Sequence, residues 1–203
     1  VLLVGLRIAD PFLMESIRLN YFDFLQTQQE TVQVDDIVLV DIDEKALEKY
    51  GHISSWNTSS VRDMNGLFEY YDEFNEDISN WNVSNVIDME SMFNEAESFN
   101  QPLNKWNVSN VKDMRLMFAS AESFNQPLNG WDVSQVTNMA YMFCYALSFN
   151  QPLNDWNVSN VTEMAFMFNE AAAFNQDINQ WNVSKVFSME GMFNEAAAFN
   201  QDI

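Results

Sequence analysis

Few side chains in this 203-residue chain have the type and spacing to do chemistry. Asp41, Asp43 and Glu44 crowd the end of a candidate strand, an arrangement that can serve acid–base or metal chemistry. No second cluster or histidine stands nearby to complete it, so a solvated strand end and helix start is the favoured reading. The single histidine, His52, removes most His-based metal sites and argues against a conventional triad, and is expected as a surface or linker residue. The single cysteine, Cys144, excludes an intrachain disulfide and a CxxC pair. It shares its position in the repeat with Glu69, Asn94, Ala119, Asn169 and Asn194, so it is expected to be exposed and free. Asn-x-Ser/Thr triplets, such as Asn82-Val83-Ser84 and Asn107-Val108-Ser109, could accept glycans. They recur with the repeat, so turn formation explains them first. No catalytic residue, cofactor or metal site is expected.

The elements that would carry these residues are set by an internal repeat. Trp56, Trp81, Trp106, Trp131, Trp156 and Trp181 fall 25 residues apart. Asn75, Asn100, Asn125, Asn150, Asn175 and Asn200 keep the same step, as do the phenylalanines before them. Eleven of the 12 methionines occupy two repeat positions, as Met89 and Met92 do. Val86, Met89, Met92, Phe93 and Ala96 have the spacing of a short amphipathic helix. Pairs such as Asn85/Asp88, Ser60/Asp63, Asn110/Asp113 and Asn160/Glu163 suit a helix start. Phe99-Asn100-Gln101-Pro102-Leu103 reads as a very short extended segment. A lone unit cannot offset its ordering entropy, so units must stack. The fold expected over residues 51–203 is therefore an α/β solenoid of six 25-residue repeats, the last one truncated. Each coil holds one short helix and one very short strand.

Within one array, invariance marks stacking and variation marks what faces outward. The asparagine column is expected to bond the next coil as a ladder, and the tryptophans to form core. The variable positions include Lys105, Asp155 and Gln180, and on the expected helix Lys112 and Phe187. These are the candidate partner-facing residues. Acidic residues look scattered instead of forming a repeated Asp ladder, which disfavours a calcium-binding repeat.

Residues 1–50 lack the period. They read as helix, strand and helix: Asp10-Pro11 opens the first helix, residues 33–43 form the strand, and Gly51 ends the second helix. The formal net charge is −21, with −6 on residues 1–50 and −15 on the array. That acidity argues against nucleic acid and anionic membranes. The 25 asparagines are the repeat multiplied, not general composition. A start at Val1 and a break in mid-pattern at Ile203 suggest a piece of a longer protein.

The stretch FNQPLNKWNVSNVKDMRLMFASAESFNQPLNGWDVSQVTNMAYMF resembles the 25-residue repeat of BspA-like surface proteins. That repeat is also described as a mycoplasma lipoprotein-associated domain of unknown function. The resemblance covers about residues 51–203. It implies a leucine-rich-repeat-like fold on a secreted or surface-anchored protein, a role in adhesion or protein binding, and no assigned catalytic residue. LRIADPF at 6–12 and DDIVLVDIDEKALEKYG at 35–51 resemble the start of the second CHASE-type extracellular sensor family. That implies a membrane-tethered ectodomain, of which only a fragment is present. The segment either caps the array or is joined to it by an artefact of sequence assembly, the cap being favoured.

The expected function is a non-enzymatic extracytoplasmic repeat module for protein–protein interaction or adhesion at the cell surface. Its partner would be a protein or cell-surface ligand, and a membrane would be met only through a tether outside this sequence. The alternative is a remnant of a membrane-tethered sensory receptor.

Overall fold

The computed structural model describes residues 52–202. The Asp41, Asp43 and Glu44 cluster and the helix–strand–helix reading of residues 1–50 lie outside them. From Trp56 onward the chain forms six successive coils, starting at Trp56, Trp81, Trp106, Trp131, Trp156 and Trp181 and here numbered 1 to 6.

The expected α/β architecture is not what the chain adopts. Among the described residues the only helix is a single 3₁₀ turn, Ile53–Ser55. The only strand-like pairings are isolated parallel bridges at one repeat position: Asp63 with Asp88, Asp88 with Asp113, Asp113 with Asn138, Asn138 with Glu163, and Glu163 with Ser188. The coils are built from turns and loops.

The segment read as a helix shows why. In coil 1, Leu67, Glu69 and Tyr71 donate their amides three residues back, to the carbonyls of Met64, Gly66 and Phe68. The alternate amides point out of the coil. Met64, Gly66, Phe68 and Tyr70 donate to Asp88, Glu90, Met92 and Asn94 of coil 2 at 2.8–2.9 Å. No amide among the described residues bonds the carbonyl four residues back, which an α-helix requires. Gly66 (φ +61°) and Tyr70 (φ +62°) sit at the third position of the turns 64–67 and 68–71. Type II turns need a positive φ there. The same two positions are left-handed in the following coils, as at Ser91 and Glu95, Leu116 and Ser120, Tyr141 and Tyr145, and Phe166 and Glu170. Successive four-residue turns, each with a left-handed residue at its third position, bring the apolar side chains to one side, and that mimics helical spacing. The acids read as helix-start residues close local turns instead: Asp88 Oδ1 accepts from the Glu90 amide at 2.9 Å, and Asp113 Oδ1 from the Arg115 amide at 2.8 Å.

The interior is one continuous apolar column. Phe68, Phe93, Phe118, Phe143, Phe168 and Phe193 form one file of stacked rings, with centroids 5.5–5.7 Å apart. Phe74, Phe99, Phe124, Phe149, Phe174 and Phe199 form a second, at 5.6–6.1 Å. Within each coil the two rings pair at 3.8–4.2 Å. Offset stacking of this kind adds to simple area burial. The methionines of coils 2 to 5 are fully buried beside these files, filling the irregular space a turn-built coil leaves.

Candidate functional site

Two side-chain ladders tie each coil to its neighbours, and a third spans three of the five junctions. Asn75 Oδ1 accepts from the Asn100 amide (2.9 Å) and from Gln101 Nε2 (3.1 Å). Asn100, Asn125, Asn150 and Asn175 repeat both bonds with the next Asn and Gln. The ladder therefore spends two residues per coil, and the glutamine half was not foreseen. A tryptophan ladder runs beside it. The indole Nε1–H of Trp81, Trp106, Trp131, Trp156 and Trp181 donates to the carbonyls of Ile53, Ile78, Leu103, Leu128 and Leu153 at 2.9–3.2 Å. These rings are buried except at Trp56, which is half-buried. In the third ladder, Asn85, Asn110 and Asn160 donate Nδ2 to the carbonyls of Ser59, Ser84 and Ser134 at 2.8 Å.

The Asn-x-Ser triplets are turn devices. Asn57, Asn82, Asn107, Asn157 and Asn182 each accept the amide of the serine two residues on, at 3.1–3.2 Å. Such Asx turns suit asparagine.

Cys144 is not exposed as expected: it is buried, and Asn169 Nδ2 lies 3.3 Å from its sulfur. Burial raises its pKa above 9.0 and disfavours the thiolate. Its polar members bond along the stack, as Asn94 does to Glu69 (3.0 Å) and Asn194 to Asn169 (2.8 Å), and Ala119 interrupts them. Variation there marks a polar ladder, not an outward row.

The expected scatter of acids also fails at one row. Asp63, Asp88 and Asp113 occupy consecutive bridge positions. Burial raises the pKa of Asp88, and the charges of Asp63, Asp113 and Glu90 raise it further, against the Glu90 amide bond. Asn138 follows in the row and donates Nδ2 to Asp113 Oδ2 at 3.2 Å. Arg115 pairs with Glu90 alongside. Among the described residues no group of three or more His, Cys, Asp or Glu is placed to hold a metal ion. His52 is exposed, caps the 3₁₀ turn and meets Glu76 at 3.0 Å.

Of the candidate partner-facing residues, Lys105, Asp155, Gln180, Lys112 and Phe187 are all exposed. They fall in two rows along the stack, not in one cluster. In one row Asp155 is held by Asn129 and Asn154, and Gln180 bonds Asn179. In the other, backbone bonds run without a break from Phe187 through Thr162, Thr137, Lys112 and Ile87 to Arg62.

A more varied row was missed. Gly66, Ser91, Leu116, Tyr141, Phe166 and Gly191 share the first left-handed position. Leu116, Tyr141 and Phe166 are half-buried there, and the last two stack at 5.0 Å. Next to them runs the second left-handed row, where Tyr70 and Tyr145 are exposed and Tyr145 bonds Glu170, which raises its pKa. The signal was available: no other column runs from glycine to phenylalanine. A helical reading hid its outward direction.

A family described as "Mycoplasma protein of unknown function, DUF285" matches residues 41–146 and 127–203. The chain belongs to this family. The repeat resemblance is thus shown at family level, while the sensor-domain resemblance finds no support. The DUF285 match begins at residue 41, inside the segment that carried it. No curated protein and no solved structure matches the chain. Among the described residues no helix is long and apolar enough to cross a membrane.

Proposed function

We propose that this DUF285 array is a non-enzymatic, extracytoplasmic module for protein–protein interaction or adhesion at the cell surface. The observation carrying this reading is the division of labour between positions. Residues repeated in every coil are spent on stacking, whereas several of the changing columns, that of Cys144 excepted, reach the surface, as Lys112, Tyr145 and Phe187 do. Leu116, Tyr141 and Phe166 keep a left-handed backbone that disfavours bulky residues. Stability alone prefers glycine there, as Gly66 and Gly191 illustrate. Aromatic side chains on a rigid outward row suit protein recognition. The net charge of −15 over the array keeps it soluble and favours basic partners.

The test has two arms. An antibody against the array should label intact cells that express the protein; labelling only after permeabilisation overturns the location. Beads coated with the array should adhere to cells or matrix, and the exposed-row variant K112A/Y145A/F187A should lose most of that adhesion while keeping its melting transition. Adhesion unchanged in this variant, or absent from both, overturns the interaction role.

A further inference from the structure

Between the two end coils, the large apolar side chains most open to water among the described residues are Tyr145 (43% exposed) and Leu147 (39%). Both stand on coil 4, beside the row of Leu116, Tyr141 and Phe166. The Tyr141 and Phe166 rings stack at 5.0 Å, so their faces meet along the array. The Phe166 ring in turn lies over Gly191, where a Cβ would come within 2.4 Å of its Cε1. Together these side chains make a firm apolar strip along coils 3 to 5, with its ring edges outward.

The charge around this strip has one sign. Coils 4 and 5, residues 131–180, contain no lysine or arginine but carry Asp132, Asp155, Glu163, Glu170 and Asp177. Tyr145 donates its hydroxyl to Glu170. Glu95 and Glu195 hold the Tyr145 position in coils 2 and 6, and both are exposed. One row thus closes the strip at both ends, with Glu95 on one side and Glu170 and Glu195 on the other. Arg115 of coil 3 is already paired with Glu90.

We infer, on the interaction role proposed above, that this strip docks an extended segment of a partner protein with about three apolar residues set between basic ones. Parallel bridges hold successive coils about 4.8 Å apart on this side. Leu116 to Phe166 therefore spans roughly 10 Å, and Glu95 to Glu195 roughly 19 Å. Three extended residues cover about 10 Å and seven about 23 Å, which puts apolar side chains on the strip and cations at the carboxylates. The strip is too short for an ordinary contact between folded domains. A second copy brings the same carboxylates to the same place, so like charges would oppose each other. A sugar or a lone cation stacks on an open ring face, and the facing rings of Tyr141 and Phe166 are taken up with each other.

The probe is the synthetic peptide Arg-Arg-Leu-Phe-Leu-Arg-Arg, titrated into the whole chain by calorimetry. It should bind one to one, and more weakly as salt rises. Serine in place of its apolar residues, or glutamate in place of its arginines, should weaken binding about tenfold or more. The variant Y145S/L147A uses residues that the array already holds at these positions, in Ser120 and Ala172, so it should keep its melting transition. It should bind the peptide about tenfold more weakly. E170Q/E195Q should weaken binding about as much and flatten its salt dependence. D132N/D177N removes as many charges outside these rows and should leave the affinity unchanged.

Absence of binding, or a serine peptide that binds as well as the apolar one, overturns the inference. So does equal weakening by D132N/D177N and E170Q/E195Q, which would assign binding to diffuse charge. A chain that is dimeric alone, and made monomeric by Y145S/L147A, assigns the strip to a second copy and overturns it too. Array-coated beads that adhere to cells while this peptide fails to bind overturn the docking site and leave the interaction role standing.

Discussion

Coils 4 and 6 have nearly the same stacking residues and different surroundings. Phe143 has a ring ahead and a ring behind, Trp131 is buried, and Asn125 and Asn150 close the corner on both sides. In coil 6, Phe193 meets a neighbouring coil's ring only behind it, at Phe168, and among the described residues Asn200 donates backward without accepting. One residue type at one repeat position therefore has two energetic values, set by whether the next coil is there. A 25-residue unit holds half of each contact, and its neighbour holds the other half.

The largest expected effect comes from truncating the ring file. Phe143→Ala should cost about 3–5 kcal/mol, the range for fully buried phenylalanine. Phe193→Ala should cost less than half of that, because its ring is already partly in water. Urea denaturation of both variants measures the difference. Equal losses would mean that stacking ahead contributes nothing, and the inner–outer distinction would collapse.

The corner ladder gives the next effect. Asn125→Ala removes an acceptor for two donors, the Asn150 amide and Gln151 Nε2. It should cost about 1–3 kcal/mol, the penalty for stranding partly buried polar groups. Asn200→Ala strands nothing and should shift the transition little. Comparable losses would show that the ladder acts within a coil and not between coils.

The repeat length, the core columns and the asparagine column were legible in the sequence because stacking demands the same side chain at the same place in every coil. The local backbone was not. Val86, Met89, Met92, Phe93 and Ala96 have a spacing that helices and successive four-residue turns share. The discriminating information was the backbone sign at Ser91 and Glu95, which those side chains do not announce. Gly66 and Gly191 hinted at it, since glycine is a poor choice inside a helix. At Cys144 the inference from varied residues to exposure failed because a ladder of unlike polar groups is also variable.

Glu95→Gly tests that correction, with a smaller effect. In a helix this change would cost about 1 kcal/mol. At φ +61° it relieves a strain of about 1–2 kcal/mol, part of which the looser unfolded chain takes back. The variant should be as stable as the parent or up to about 1 kcal/mol more so by chemical denaturation. A loss of about 1 kcal/mol would restore the helical reading.

The smallest effect belongs to the carboxylate row, again set by position in the stack. Asp88 lies between Asp63 and Asp113, whereas the row ends at Ser188. Burial first, and then its acidic neighbours, raise the Asp88 pKa above 3.8. A carboxyl raised in the folded state holds its proton more tightly there than in the unfolded chain. Its contribution to stability is complete below the ordinary value and is lost as pH rises through the raised one. Asp88→Asn keeps an oxygen to accept from the Glu90 amide and removes the charge, as Asn138 already does two coils on. The variant should melt higher than the parent at neutral pH, and the gap should close as pH falls into the ordinary carboxylate range. Ser188→Ala should shift melting by the same small amount at every pH. A gap for Asp88→Asn that widens on acidification would mean the carboxylate stabilises the row and that its pKa is lowered in the fold, against burial and its acidic neighbours.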